Sequence, residues 1–145
     1  NRYEDSCKSR AARFGCAVEW AIIANYQFYT AQVPIETQGK EVDGGIEAQA
    51  RQTMNNLRHT ITAAKLTTDD ILGIIYVTAR EQLPLLNKVY ADYSTAPYPN
   101  RAAIIVTTLA REAMLCELVV YATVPQPSLT VHRFVPYLMQ SEISN

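Results

Sequence analysis

Arg101 has the setting that most invites chemistry. It follows the stiff, proline-bearing turn "TAPYPN" and opens the apolar run "AAIIV", so a permanent cation stands at the mouth of a strand. Alternate residues of a strand share a face, which puts Arg101 beside Ala103 and leaves room next to the guanidinium. A planar guanidinium can fork onto a carboxylate, the anion its donors match best. The same residue can equally form a structural ion pair, with Glu117 on the adjacent strand as its partner. Other reactive side chains lack companions at a working spacing. His59 lies among polar residues of a helix and is expected in solvent, and His132 has no ligand-type neighbour. Cys116 sits amid apolar residues, the setting of an inert thiol. No Ser/His/Asp or Cys/His arrangement and no Gly-rich phosphate loop can be read.

These side chains need elements to hold them. "CAVEWAIIA" and "QFYTAQVP" read as two strands, rich in aromatic and β-branched residues, with Asn25 in the tight connection and Pro34 ending the second. A glycine-bearing loop, "IETQGKEVDGG", leads to "IEAQARQTMNNLRHTITAAK". There Ile46, Ala50, Met54, Leu57, Ile61 and Ala64 recur every three or four residues, the spacing of an amphipathic helix lying on a sheet. Asp43 is the expected N-cap, and Glu47 suits the positive end of the helix dipole. "ILGIIYVTA" predicts a strand over 71–79. "PLLNKVYADYS" predicts a helix through Leu83, Leu86, Tyr90 and Tyr93, starting at Pro84 because proline is tolerated only in a first turn. "AAIIVTTL" and "MLCELVVYATV" complete the set as strands joined across Ala110–Ala113. The order β-β-α-β-α-β-β predicts an α+β domain with two helices on one face of a mixed sheet. The tail, "PQPSLTVHRFVPYLMQSEISN", is apolar enough to be expected to pack on this subunit or a neighbour.

Composition narrows the function classes. The 145 residues, 48% hydrophobic and 19% charged, suit one folded domain that needs no metal or disulfide for stability. A net charge of −1 offers no positive field for phosphates, so nucleic-acid binding is not expected. No apolar run reaches membrane-spanning length, and the first residues lack a signal-peptide core. Cys7, Cys16 and Cys116 are odd in number and form no CxxC pair, which fits reduced thiols in a cytoplasmic setting without a zinc site.

The pieces "AQVP", "EAQARQTMNNLRHTITAAKLTTDDIL", "LLNKVYADY", "YPNRAAIIV" and "CELVVYATV" resemble the RidA/YjgF family of reactive-intermediate deaminases, long labelled endoribonuclease L-PSP. The resemblance runs from about Phe14 to Val124, leaving 1–13 and 125–145 as extensions around a domain at 14–124. It implies a chorismate-mutase-like fold, a homotrimer with clefts between subunits, and hydrolysis of enamines or imines to a keto acid and ammonia without cofactor or metal. By that resemblance Arg101 holds the substrate carboxylate, Asn87 matches the family's asparagine, and Thr30 stands for its usual serine. Ala31 replaces a glycine, and Ala17 replaces the tyrosine of the family's "GPY". Counting strictly from Arg101 puts Cys116 at the water-positioning glutamate; one extra residue in the 110–114 connector puts Glu117 there instead, the reading adopted, because a connector accepts an insertion more easily than a strand changes face. By the same resemblance Ala17 widens the cleft by most of an aromatic ring, whereas Ala31 adds a methyl where the backbone approaches the ligand. The resemblance leaves open a family member repurposed for isomerisation, condensation or cyclisation, and a ligand-binding trimer without turnover. The ribonuclease chemistry of the older label is not expected from a chain of this charge without a histidine pair.

Overall fold

The computed structural model describes residues 20–124. Ala17, Cys7, Cys16, His132, both extensions and the first part of the first strand lie outside the described residues. The elements are β1 (Ala21–Ala24), β2 (Gln27–Gln32), α1 (Gly45–Ala63), β3 (Ile71–Val77), a single 3-10 turn, α2 (Leu83–Ala91), β4 (Arg101–Ile105) and β5 (Cys116–Thr123). They form one mixed sheet in the order β1-β2-β5-β3-β4. Only β3 and β4 run parallel, joined through α2 as a parallel pair requires.

Strand alternation divides the sheet into two faces. Phe28, Ile71, Ile75, Val77, Leu118 and Val120 point to the helices and pack with Leu57, Ile61 and Val89 in the main core. Their neighbours Tyr29, Ala31, Leu72, Glu117 and Tyr121 point to the opposite face, which no described element covers. The β1–β2 hairpin turns on two residues, Asn25 and Tyr26, both with positive φ (50° and 62°). Two left-handed central residues match the right-handed twist of the flanking strands.

α1 differs from expectation at its start and along its buried side. Gly44, not Asp43, is the N-cap, and no side chain caps the helix. The chain enters through Gly44 and Gly45 with φ of 112° and 78°, left-handed values that glycine adopts without steric penalty. Asp43 is exposed and lies 3.9 Å from Lys40 instead. Ala50, Met54, Leu57 and Ile61 are buried as the spacing predicts, but so are Gln49, Thr53, Asn56 and Thr60 beside them. This polar row meets backbone just past the end of β2: Asn56 Nδ2 donates to the carbonyls of Val33 (3.0 Å) and Ile35 (2.9 Å).

Boundaries also shift. α2 begins one residue before Pro84 and ends at Ala91, short of Tyr93. β3 stops at Val77, β4 at Ile105, and β5 begins at Cys116. The β4–β5 connector therefore spans 106–115, longer than the expected Ala110–Ala113. β4 is an edge strand whose side chains are mostly exposed, so little burial rewards extending it.

Candidate functional site

Arg101 opens β4 opposite Gly73 of β3. From there the guanidinium lies across toward α2. There its carbon centre sits 4.5 Å above the Tyr90 ring, and Nη2 donates to Asn87 Oδ1 at 2.5 Å. Asn87 and Tyr90 are three residues apart on α2, so both reach the same cation. Tyr90 is only 4% exposed and gives the guanidinium a rigid platform. Burial pushes the Tyr90 hydroxyl pKa up, with the Arg101 charge acting against it. No carboxylate pairs with Arg101 among the described residues. The ion pair with Glu117 that the sequence allows is not formed, because β3 lies between their strands.

Glu117 is half-buried on the uncovered face, opposite Tyr76. Burial raises its carboxyl pKa above the ordinary value. Cys116 is turned the other way, 2% exposed, with Sγ 3.6 Å from Thr53 Oγ1. Burial pushes its thiol up to about 11, so it stays protonated at neutral pH. The gap beside it, lined by Ala50, Met54, Leu86 and Tyr90 among others, holds only about 20 Å³, too small for a substrate. Cys116 therefore belongs to the core and offers nothing to a ligand on either exposed surface.

Thr30 is also placed differently from expectation. It is 5% exposed and faces the helices, where its hydroxyl donates to the Trp20 carbonyl and accepts from Gln32 Nε2 at 2.8 Å. An alternating strand must turn Thr30 inward once Phe28 and Gln32 face the core. Ala31, next along, is exposed on the uncovered face opposite Val119. Together with Ile22, Tyr29 and Tyr121 it lines a shallow apolar depression of about 590 Å³, in which Tyr29 and Tyr121 meet edge to face at 5.6 Å. Ala103 is exposed on β4, on the Arg101 side. His59 is exposed on α1, as expected.

The expected site residues thus fall into two groups. Arg101, Asn87 and Ala103 gather on the helix side of the β4 edge, whereas Glu117 and Ala31 lie on the uncovered face. Two strand spacings, about 10 Å, and a three-residue offset along β3 separate Arg101 from Glu117, which point to opposite faces. Within one chain they cannot touch the same small molecule. Sequence reasoning missed Tyr90 as part of the site, having read it only as core. Its offset of three from Asn87 was the available signal.

A protein-family model described as endoribonuclease L-PSP matches residues 10–124. A RutC family protein of Pyrococcus horikoshii is 29% identical over 93 residues, covering 63% of this chain and 74% of its own length. TdcF of Escherichia coli is 27% identical over 105 residues, 70% of this chain and 81% of that protein. Among solved structures, the Rid-family protein YyfA of Yersinia pestis superposes with a TM-score of 0.70 at 31% identity, over 74% of this chain and 88% of its own. Escherichia coli TdcF with bound serine gives a TM-score of 0.67 at 23% identity, over 74% and 88% of the two chains.

Proposed function

The chain belongs to the endoribonuclease L-PSP family, the RidA/YjgF group, and from that premise we propose that it converts a small, reactive enamine or imine that bears a carboxylate. The observation that carries this reading is Arg101: an exposed-edge guanidinium, held by Asn87 and Tyr90, with no carboxylate of the described chain to neutralise it. Copies of the chain assemble, as a homotrimer by the family pattern, so that Arg101 of one copy meets the Glu117 face of another. Serine bound to TdcF shows that a relative takes a small carboxylate-bearing molecule. No helix among the described residues is long and apolar enough to cross a membrane.

In this reading Arg101 anchors the carboxylate and Glu117 holds a water against the imine carbon. The water oxygen bonds to that carbon while Glu117 takes a proton and passes it to nitrogen. The carbinolamine then loses ammonia as its hydroxyl proton travels to nitrogen through the same carboxyl, leaving the keto acid. Burial raises the Glu117 pKa above the ordinary carboxylate value, which makes it a stronger base for taking the proton it then returns. Ala103 leaves space beside the anchored end, and Ala31 lies on the Glu117 face.

Keto-acid and ammonia release from 2-aminoacrylate generated in the cuvette tests this, with Arg101→Ala beside the parent. Acceleration that vanishes in the variant supports the reading, and a parent no faster than buffer rejects it. A second reading, a ligand-binding assembly without turnover, draws on the inward-turned hydroxyl of Thr30, which gives Glu117 no help. Glu117→Gln separates the two: in the enzyme turnover falls while ligand affinity stays, and in the binder neither changes.

A further inference from the structure

The segment that delivers Glu117 is gripped from beneath by one side chain of α1. Gln49 is 4% exposed. Its Oε1 accepts from the Leu115 N–H at 2.8 Å, and its Nε2 donates to the Ala113 carbonyl at 2.8 Å. The two ends of one amide thus hold the chain on either side of Met114, which is itself fully buried. Nε2 also reaches the Val42 carbonyl at 3.3 Å, tying in the loop before α1. From the other direction, the Leu115 carbonyl accepts from the Thr78 N–H at 3.2 Å. Leu115, the last residue before β5, is therefore bonded on both sides.

This grip matters because the start of β5 is weakly specified by hydrophobicity. Its inward set is Cys116, Leu118, Val120 and Ala122, but the outward set includes Val119 and Tyr121 beside Glu117. A slip of one residue would exchange Cys116 and Glu117 between faces. Only a side chain carrying both a donor and an acceptor can hold an N–H and a C=O two residues apart, and glutamine has both.

We propose that Gln49 is a positioning residue for Glu117: its amide sets where the connector ends and β5 begins, and so where the carboxyl stands. This rests on the role given to Glu117 above. The groups around Glu117 are Tyr76 opposite it on β3, Ala31 diagonally across on β2, and Cys116 beside it in the chain, whose side chain points to the other face. No charged side chain forms an ion pair with it among the described residues.

The test follows the Glu117 carboxyl by NMR pH titration in the full chain, alongside enamine turnover. The variants are Gln49→Leu, Gln49→Glu and Thr60→Val, the last being a buried polar residue of α1 without a hydrogen bond to the connector. In Gln49→Leu the Glu117 titration should move toward the ordinary carboxylate range, as the start of β5 loosens and admits water. Turnover should show kcat lowered by about tenfold or more with KM within about twofold, since a misplaced catalytic group costs rate rather than binding. Gln49→Glu keeps an acceptor for the Leu115 N–H and should recover part of both effects, and Thr60→Val should leave both as in the parent. A Gln49→Leu protein with lowered Tm but parental titration and kcat would overturn the proposal. Should that variant not fold, Gln49→Glu decides by the same two readings. A parent without turnover would sink the enzymatic reading alone, and the titration would still decide the role of Gln49.

Discussion

At Arg101 part of the guanidinium is engaged before any ligand arrives. Asn87 takes one N–H and the Tyr90 ring covers one side, leaving the rest of a five-donor fork for a carboxylate. Loss of a charge-assisted pair of bonds is worth about 1.5–3 kcal/mol, so Arg101→Ala should weaken carboxylate binding by about 10- to 100-fold. Arg101→Lys should recover little, because a point charge cannot reproduce the fork. Calorimetric titration with a keto-acid product checks both; equal affinity in all three proteins would remove Arg101 from the site. Glu117 makes a different prediction, about pH. Its folded pKa is raised by burial, so the folded state holds the proton more tightly than the unfolded chain. Ionised Glu117 therefore lowers stability above its folded pKa, and that penalty disappears as pH falls below the unfolded value. Glu117→Gln should raise Tm at about pH 8 and leave it unchanged at about pH 3.5, while abolishing turnover. A variant less stable than the parent at the higher pH would mean that the carboxylate is satisfied rather than strained.

Among the elements, α1 does more than cover the sheet. Its row of Gln49, Asn56 and Thr60 reaches past the apolar stripe to buried backbone groups of the chain around residues 33–35 and 113–115 and to Gln32. Asn56→Ala should take the side-chain donor from the Ile35 carbonyl, leave the Val33 carbonyl with only the Ile35 N–H, and cost about 1–3 kcal/mol in denaturant unfolding, more than a surface substitution of the same helix. Gly44→Ala should be destabilising for another reason. Its φ of 112° is one that L side chains rarely adopt, and an added Cβ would stand 3.1 Å from that of Ala48. A loss of about 1 kcal/mol or more is expected, read as a lower Tm with unchanged kcat.

For the whole molecule the uncovered sheet face dominates. Among the described residues Leu72 is 57% exposed, Ile22 50% and Ile104 41%, all on the face that no described element covers. The same face carries Glu117, while Arg101 lies around the edge strand on the other side. On the proposal that copies assemble so that Arg101 of one meets the Glu117 face of another, activity and oligomerisation should fail together. Leu72→Glu, opposite Tyr121 at the centre of the face, should give a monomer by light scattering with parental far-UV circular dichroism and no turnover. A monomeric variant that retains full turnover would show that one chain suffices and would undo the shared-site reading.

Periodicity and propensity were enough to read the element order, the stripe Ala50–Met54–Leu57–Ile61, the proline in the first turn of α2 and the exposure of His59. Those properties depend on each residue's own backbone preference and on spacing along a single element. The matching stretches likewise carried the family and singled out Arg101. What they could not carry was which strands are neighbours: β5 lies between β2 and β3, so Glu117 never approaches Arg101 in its own chain. Nor could they show that Thr30 turns inward, that Gly44 rather than Asp43 starts α1, or that Gln49 meets Leu115 from 66 residues away. Side-chain chemistry and local period are properties of the chain, whereas faces, partners and strand order exist only once distant segments pack. At Cys116 and Glu117 a single residue of connector separates a buried thiol from an outward-facing carboxylate, and only the packed sheet decides which of the two faces outward.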